Sequence, residues 1–173
     1  MQNVIALVVV LAVLVPGAWW VSHTRLVAAR NDVEGSWADV DAELERRHDL
    51  IPRLVETVQA SAGHERQLLA ELAARNDAAM AAPHTPGAAN RWEPPLVEAA
   101  RQVVALRERY PELNSRQNFL ELQRQLALTE DRLAAARRFY NSRVERLNRR
   151  IEAFPSSVVA GRHGFTRAEF FDA

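Results

Sequence analysis

The sequence predicts an all-α protein, an antiparallel four-helix bundle with long helices, preceded by one N-terminal transmembrane helix. An uncharged apolar run lies near the N-terminus, and apolar residues then recur at alternating spacings of three and four. Glycine is scarce, while Ala, Leu, Glu, Gln and Arg, which favour helix, are abundant. We divide the chain into a membrane anchor (residues 1–23), a helical domain (24–155) and an apolar C-terminal tail (156–173) that packs on the bundle.

The anchor is the run from Val4 to Val21, which includes Leu11 and contains 18 residues without a charge. As a helix it spans about 27 Å, just enough for the hydrocarbon core of a bilayer. Trp19 and Trp20 lie at its end, where an aromatic belt would meet the interface. A cleaved signal peptide is the alternative. No Arg or Lys precedes the run and no small-residue cleavage site follows it, so we expect an uncleaved, single-pass anchor in the cell membrane.

Few charges near the anchor bear on which side of the membrane the helical domain lies. Arg25 and Arg30 follow the anchor, and only the α-amino group precedes it. The positive-inside rule therefore favours the cytoplasm, on the evidence of two charges.

The first helix of the domain contains a proline, Pro52, in the stretch RRHDLIPRLVETV. Either Asp49 caps a new helix there, or one helix continues and kinks. The second alternative is favoured, because apolar residues at heptad spacing, here called the seam, continue without a change of register through Pro52. No turn-forming residue flanks the proline. The helix should end at Ser61–Gly63, and the next should begin near His64. The seam consists of Leu26, Val33, Trp37, Val40, Leu44, Ile51, Leu54, Val58, Leu68 and Leu72.

Two seam positions carry arginine, Arg30 and Arg47. A buried, unpaired charge costs several kcal/mol, so Arg47 needs a carboxylate unless its aliphatic stem lets the charge reach solvent. Glu130, beside a seam position of the last helix, is the candidate partner. The sequence leaves both alternatives open.

The second half of the chain begins with a proline-rich stretch, residues 81–95, that predicts a loop. A short helix should follow over residues 96–109 and end before Pro111. The last helix should run from about residue 114 to 153. Its seam is Phe119, Leu122, Leu126, Leu133, Ala136, Tyr140, Leu147 and Ile151. Phe165, Phe170 and Phe171 make the tail too apolar to remain free in water, so it folds back on the bundle or contacts the membrane or a partner.

The residues contain no recognisable site for catalysis. There is no cysteine, which excludes disulfides and thiol chemistry. No two of the five histidines share a helical face at i, i+3 or i+4, and neither a nucleophile elbow nor a phosphate-binding loop is present. Acidic and basic residues balance at 22 each, which gives no reason to expect a nucleic-acid partner. We therefore expect no catalytic residues, no cofactor, no metal and no enzymatic activity.

Several ordered motifs nevertheless give the chain a family resemblance. RRHDLIP, YPEL, NFLELQ, TEDRLAAARRFYN and FPS, in this order, resemble the LemA family of bacterial membrane-anchored proteins. The resemblance implies a four-helix bundle behind one membrane segment and brings no catalytic residues. It implies structural roles for motif residues such as Arg47, Pro52, Glu130, Tyr140 and Asn141. Some relatives are described as facing the periplasm, contrary to the charges that flank this anchor.

Three functions are compatible with these observations. The leading hypothesis is a non-enzymatic scaffold in the bacterial envelope that binds other membrane or envelope proteins, or a second copy of itself. The alternative is a protein that binds the lipid bilayer or responds to membrane stress, through basic helix faces, including residues 137–150, and the Phe-rich tail. A helical hydrolase or its accessory subunit would need a convergent polar pocket, for which the sequence offers no candidate.

Overall fold

Five α-helices make up the computed structural model of the chain. They are α1 (Gln2–Gln59), α2 (Arg66–Met80), α3 (Pro86–Ala105), α4 (Gln117–Glu152) and α5 (Ser156–His163), and two 3₁₀ helices, Leu106–Glu108 and Pro111–Ser115, connect α3 to α4. The structure describes Met1 and residues 12–173 in full, and residues 2–11 only as part of α1. No β-strand occurs in the described chain. The all-α prediction is confirmed.

The two longest helices, α1 and α4, pack along each other in opposite directions. Arg150 Nη1 donates to the carbonyl of Arg25 (2.8 Å), and Arg143 Nη1 lies 3.5 Å from Asp32 Oδ2. Residue numbers therefore fall along α4 as they rise along α1, which defines an antiparallel pair.

The shorter helices α2 and α3 form a second pair, which packs against the C-terminal half of α1. The core accordingly has two clusters. One contains apolar residues of α2 and α3 with the C-terminal half of α1, and Leu72, Leu96 and Leu54 are fully buried in it. The other joins the N-terminal part of α1 to α4, α5 and the C-terminal tail, around Leu26 and Tyr140. An open groove remains between α3 and α4.

The prediction that one helix continues through Pro52 is confirmed, because α1 extends from Gln2 to Gln59. Proline has no N–H to donate, so the carbonyl four residues earlier, that of His48, lacks its intrahelical partner. The side chain of Asn76, on α2, supplies a donor to this carbonyl (3.4 Å). A contact between helices thus replaces the hydrogen bond that Pro52 removes. The break near Ser61–Gly63 is also confirmed, since α2 begins at Arg66.

The prediction of a loop over residues 81–95 is wrong, because α3 begins at Pro86 and contains both Pro94 and Pro95. Thr85 caps the helix by accepting a hydrogen bond from the Ala88 N–H (3.3 Å). Pro86 follows in the first turn, where proline is tolerated. The two internal prolines directly follow Glu93, a residue held by buried ionic contacts that help to keep this segment helical. The helix ends at Ala105, and its continuation is a 3₁₀ turn.

The predicted anchor lies partly outside the described residues, which is where Val4 and Leu11 fall. Among the residues that the structure describes, no helix combines the length and apolar character that a membrane crossing requires. Of the other residues assigned to the anchor, Trp19 is half-buried, and Trp20 and Val21 are exposed.

Candidate functional site

A buried group of ionisable residues joins α1 to α3 at the middle of the molecule. Arg47 Nη1 donates to Glu93 Oε2 (2.6 Å), and His48 Nε2 lies 2.8 Å from Glu93 Oε1. All three residues are buried. Both oxygens of the Glu93 carboxylate are therefore occupied by neighbours on α1, which gives the charge the paired environment that burial requires.

The pKa of Glu93 is lowered by this arrangement. Burial alone raises the pKa of a carboxyl group, and it is the largest single effect here. The hydrogen bonds and charge interactions with His48 and Arg47, taken together, outweigh it. Glu93 therefore stays ionised at neutral pH and stabilises the guanidinium beside it.

Arg47 also contacts Glu130, the partner that the sequence suggested. Its Nη2 lies 2.9 Å from Glu130 Oε1, but the side chain of Glu130, on α4, is 48% exposed, whereas that of Glu93 is 4% exposed. Glu93 is thus the buried partner and Glu130 the one at the surface. The Nε of Arg47 is buried and has no acceptor among the described residues.

A groove between α3 and α4 lies directly over this ion pair. It has a volume of about 670 Å³. Its floor is Arg47 and Ile51 of α1, and a smaller cavity continues it past Arg47 and Glu130 toward the C-terminal tail. Its apolar walls are Val97, Ala100, Val104 and Ala105 from the α3 side, and Leu120, Leu126 and Ala127 of α4. The Nε2 of Gln123, which also lines the groove, is a second buried donor without an acceptor in the described chain.

The tail after α5 is extended and is held through its backbone by asparagine side chains. Asn148 and Asn141, seven residues apart on α4, each donate to and accept from one tail residue, Ala168 and Phe171 respectively, at 2.8–3.0 Å. Asn90 of α3 accepts from the backbone of Asp172 (2.8 Å) and Ala173 (3.2 Å) and donates to the carbonyl of Phe170 (2.9 Å). These amides satisfy backbone groups that no secondary structure pairs.

Aromatic packing completes the attachment of the tail. Phe171 is fully buried, and its ring lies 5.7 Å from that of Trp37, which in turn packs edge-on against Tyr140 at 5.3 Å. The Tyr140 hydroxyl donates to the carbonyl of Glu169 (2.7 Å). Burial, with the charge of Glu169, raises the pKa of Tyr140 to about 12, so the phenol remains a donor at neutral pH.

One further cluster has the chemistry of metal ligands. Ligand atoms of Asp41, Glu45 and His84 lie within 4.8 Å of one another. His84 Nδ1 already hydrogen-bonds the Asp41 carboxylate (3.0 Å), and this contact raises the pKa of His84. The contact stabilises the fold below pH 6.5, the ordinary pKa of histidine, and the stabilisation is lost as the pH rises through the folded-state pKa. A hydrogen-bonded His–Asp pair thus accounts for the cluster, and the prediction that the chain binds no metal stays a prediction.

Comparison with protein families decides to which family the chain belongs. The model of the LemA family matches residues 36–173, most of the chain. The chain belongs to the LemA family. No curated protein matches it.

In this LemA family member, the motif residues implied by the resemblance lie in two places. Arg47 and Glu130 meet at the groove, with Pro52 five residues after Arg47 on α1, while Tyr140 and Asn141 hold the tail. Sequence reasoning missed Glu93 because it placed the residue in a loop. It also missed Asn76, Asn90 and Asn148, although the spacing of seven between Asn141 and Asn148 put both on one face of a helix.

Proposed function

We propose that this LemA family member is a non-enzymatic, single-pass membrane protein whose helical domain, a four-helix bundle, binds a partner helix in the groove between α3 and α4. The observation that carries the proposal is the groove itself, a channel of about 670 Å³ with apolar walls on the α3 side and on α4. Burial of apolar surface is the main favourable term in most protein association, so a partner that covers these walls would bind favourably here.

The dimensions of the groove favour a helix as its occupant. The α4 wall of the groove and its continuation, from Leu120 to Ala134, extends about 21 Å at the standard rise, which is roughly four helical turns. The apolar walls suit the apolar face of an amphipathic helix, as in other helix-in-groove complexes.

The charges around the groove favour an acidic partner. The groove and its continuation are lined by five arginines (Arg47, Arg101, Arg107, Arg124 and Arg137) and four acidic residues (Glu98, Glu108, Glu130 and Asp172). Arg101 and Arg107 form no ion pair with the residues that the structure describes. Carboxylates beside the apolar face of the partner would complement them. The partner is accordingly another membrane or envelope protein with an acidic amphipathic helix.

Site-specific photocrosslinking in intact cells tests this proposal. Benzoylphenylalanine is placed at Leu120, which lines the groove, or at Leu128 on the same helix, which does not. The two leucines are similarly exposed, at 46% and 40%, so random encounters should affect them equally. We expect a discrete adduct at position 120 that is absent at position 128.

A charge reversal provides the matched control. The double variant Arg101→Glu, Arg107→Glu should abolish the adduct at position 120 without changing the expression or helicity of the protein. Equal adducts at both positions, or an adduct at 120 that survives the charge reversal, would contradict the groove as the binding site. Mass spectrometry of the adduct then identifies the partner, and an adduct with a second copy would assign self-association.

A further inference from the structure

The corner between α4 and α5 lies beside the end of the apolar segment that begins α1. Arg150 Nη1 donates to the carbonyl of Arg25, and the His163 ring lies 5.9 Å from the Trp19 ring. The α1–α4 register places residue 150 level with residue 25, and its continuation places Phe154 level with Val21. The corner is therefore at the height at which the predicted anchor ends.

This corner exposes large apolar side chains to solvent. Phe154 is 85% exposed and Val158, one turn into α5, is 55% exposed. Trp20 and Val21 on the adjoining turns of α1 are exposed as well. In the tail, Phe171 is fully buried and Phe165 is half-buried against His23 and Arg30, whereas Phe170 is 42% exposed.

The charges of the corner are mainly positive. Arg25, Arg149, Arg150, Arg162 and Arg167 lie near it, together with Glu145 and Glu152. The two glutamates pair with Arg149 and Arg167. Arg162 is exposed and forms no ion pair with any described residue. Exposed aromatic and aliphatic side chains among arginines have the chemistry of a surface that binds anionic lipid headgroups.

We infer that the α4–α5 corner is a second membrane contact, in which Phe154 and Val158 enter the interface of the bilayer that carries the anchor while the exposed arginines of the corner, Arg162 foremost, face its anionic headgroups. This inference rests on the proposed membrane anchor. The contact holds the helical domain against the membrane surface, with the α3–α4 groove farther from the bilayer. Leu128, for comparison, is level with about residue 47 of α1, roughly 39 Å along the helix from Val21.

Depth-dependent fluorescence quenching tests the contact in the full chain. Because the protein has no cysteine, Val158→Cys, Val13→Cys and Leu128→Cys each give one site for an environment-sensitive fluorophore. Each labelled protein is reconstituted into vesicles of phosphatidylcholine and phosphatidylglycerol that contain lipids spin-labelled at a shallow or a deep position. We expect shallow lipids to quench position 158 severalfold more strongly than position 128, and deep lipids to quench position 13.

The three positions separate the failure of this inference from that of the anchor. Quenching at 13 with none at 158 would leave the anchor in place and overturn the corner contact. Absence of quenching at both would overturn both. Quenching at position 158 should fall severalfold in the variant Phe154→Ser but not in Phe154→Leu. It should also fall when phosphatidylcholine replaces the anionic lipid. Insensitivity to both changes would overturn the assigned roles of Phe154 and the arginines.

Discussion

At the scale of single residues, the chemistry of the domain centres on Arg47. Its guanidinium enters the core from α1, meets Glu93 where water is excluded and reaches Glu130 where the groove opens. The free energy of a charge pair depends on how far both partners are removed from solvent. The two contacts therefore contribute unequally, although their lengths differ little.

Double-mutant cycles should show this inequality. Arg47→Ala leaves Glu93 buried without its cation and is expected to lower the free energy of unfolding by about 3–5 kcal/mol. Glu130→Ala removes a half-exposed partner and should cost about 1 kcal/mol or less. The coupling energy from denaturant unfolding in detergent should be larger for Arg47–Glu93 than for Arg47–Glu130. Equal coupling energies for the two pairs would contradict a larger contribution from the buried Arg47–Glu93 pair.

The lowered pKa of Glu93 predicts a specific response to acid. A carboxyl group whose pKa is lower in the folded state stabilises the fold fully above its unfolded value, 4.5, and this stabilisation is lost as the pH falls through the folded-state pKa. Glu93→Gln should therefore be less stable than the wild type at neutral pH, and its unfolding free energy should change less with pH below 4.5. Glu98→Gln, at an exposed position on the same helix, should keep the wild-type pH profile.

At the scale of helices, asparagine side chains supply backbone hydrogen bonds that the helices and the tail lack. Pro52 removes a donor from α1, and Asn76 of α2 supplies one to the carbonyl of His48. In the same way Asn90, Asn141 and Asn148 provide the hydrogen bonds that the extended tail cannot make within itself. In both cases a side-chain amide on one element completes the backbone of another.

The Pro52–Asn76 relation can be tested by a second cycle. Asn76→Ala should cost about 1–2 kcal/mol of unfolding free energy, because the His48 carbonyl loses its donor while buried. In a Pro52→Ala background the restored N–H can donate to that carbonyl, and the cost of Asn76→Ala should become smaller. Pro52→Ala combined with the distant Asn148→Ala should be additive. Additivity in the Pro52–Asn76 pair would exclude the proposed compensation.

The tail attachment predicts a local effect. Asn141→Ala removes both hydrogen bonds to the Phe171 backbone and should raise the hydrogen-exchange rates of the backbone amides in residues 165–173. Exchange in the middle of α4 should change little. Asn118→Ala, at an exposed position of the same helix, serves as the control and should leave the tail protected. Unchanged tail exchange in Asn141→Ala would mean that aromatic packing alone holds the tail.

At the scale of the whole molecule, the proposed membrane anchor means that the side of the membrane on which the helical domain lies decides which partners the groove can meet. Arg25 and Arg30 favour the cytoplasm by the positive-inside rule. Ala81→Cys, at an exposed position between α2 and α3, offers a single thiol for a membrane-impermeant maleimide. We expect no labelling in intact cells or spheroplasts and labelling after lysis. Labelling without lysis would place the domain outside the cytoplasm and direct the search to partners there.

The sequence by itself determined the helical class, the continuity of α1 through Pro52, the break before α2 and the extent of α4. These features follow from periodicity and local residue preferences, which neighbours in the chain specify. The position of α3 and the partners of Arg47 were decided by the tertiary structure. Pro94 and Pro95 predict a break locally, and only Arg47 and His48, more than 40 positions earlier, show why Glu93 lies on a helix there. Contacts between residues far apart in the sequence offset the local helix penalty of the two prolines. Local residue preferences alone do not reveal those contacts.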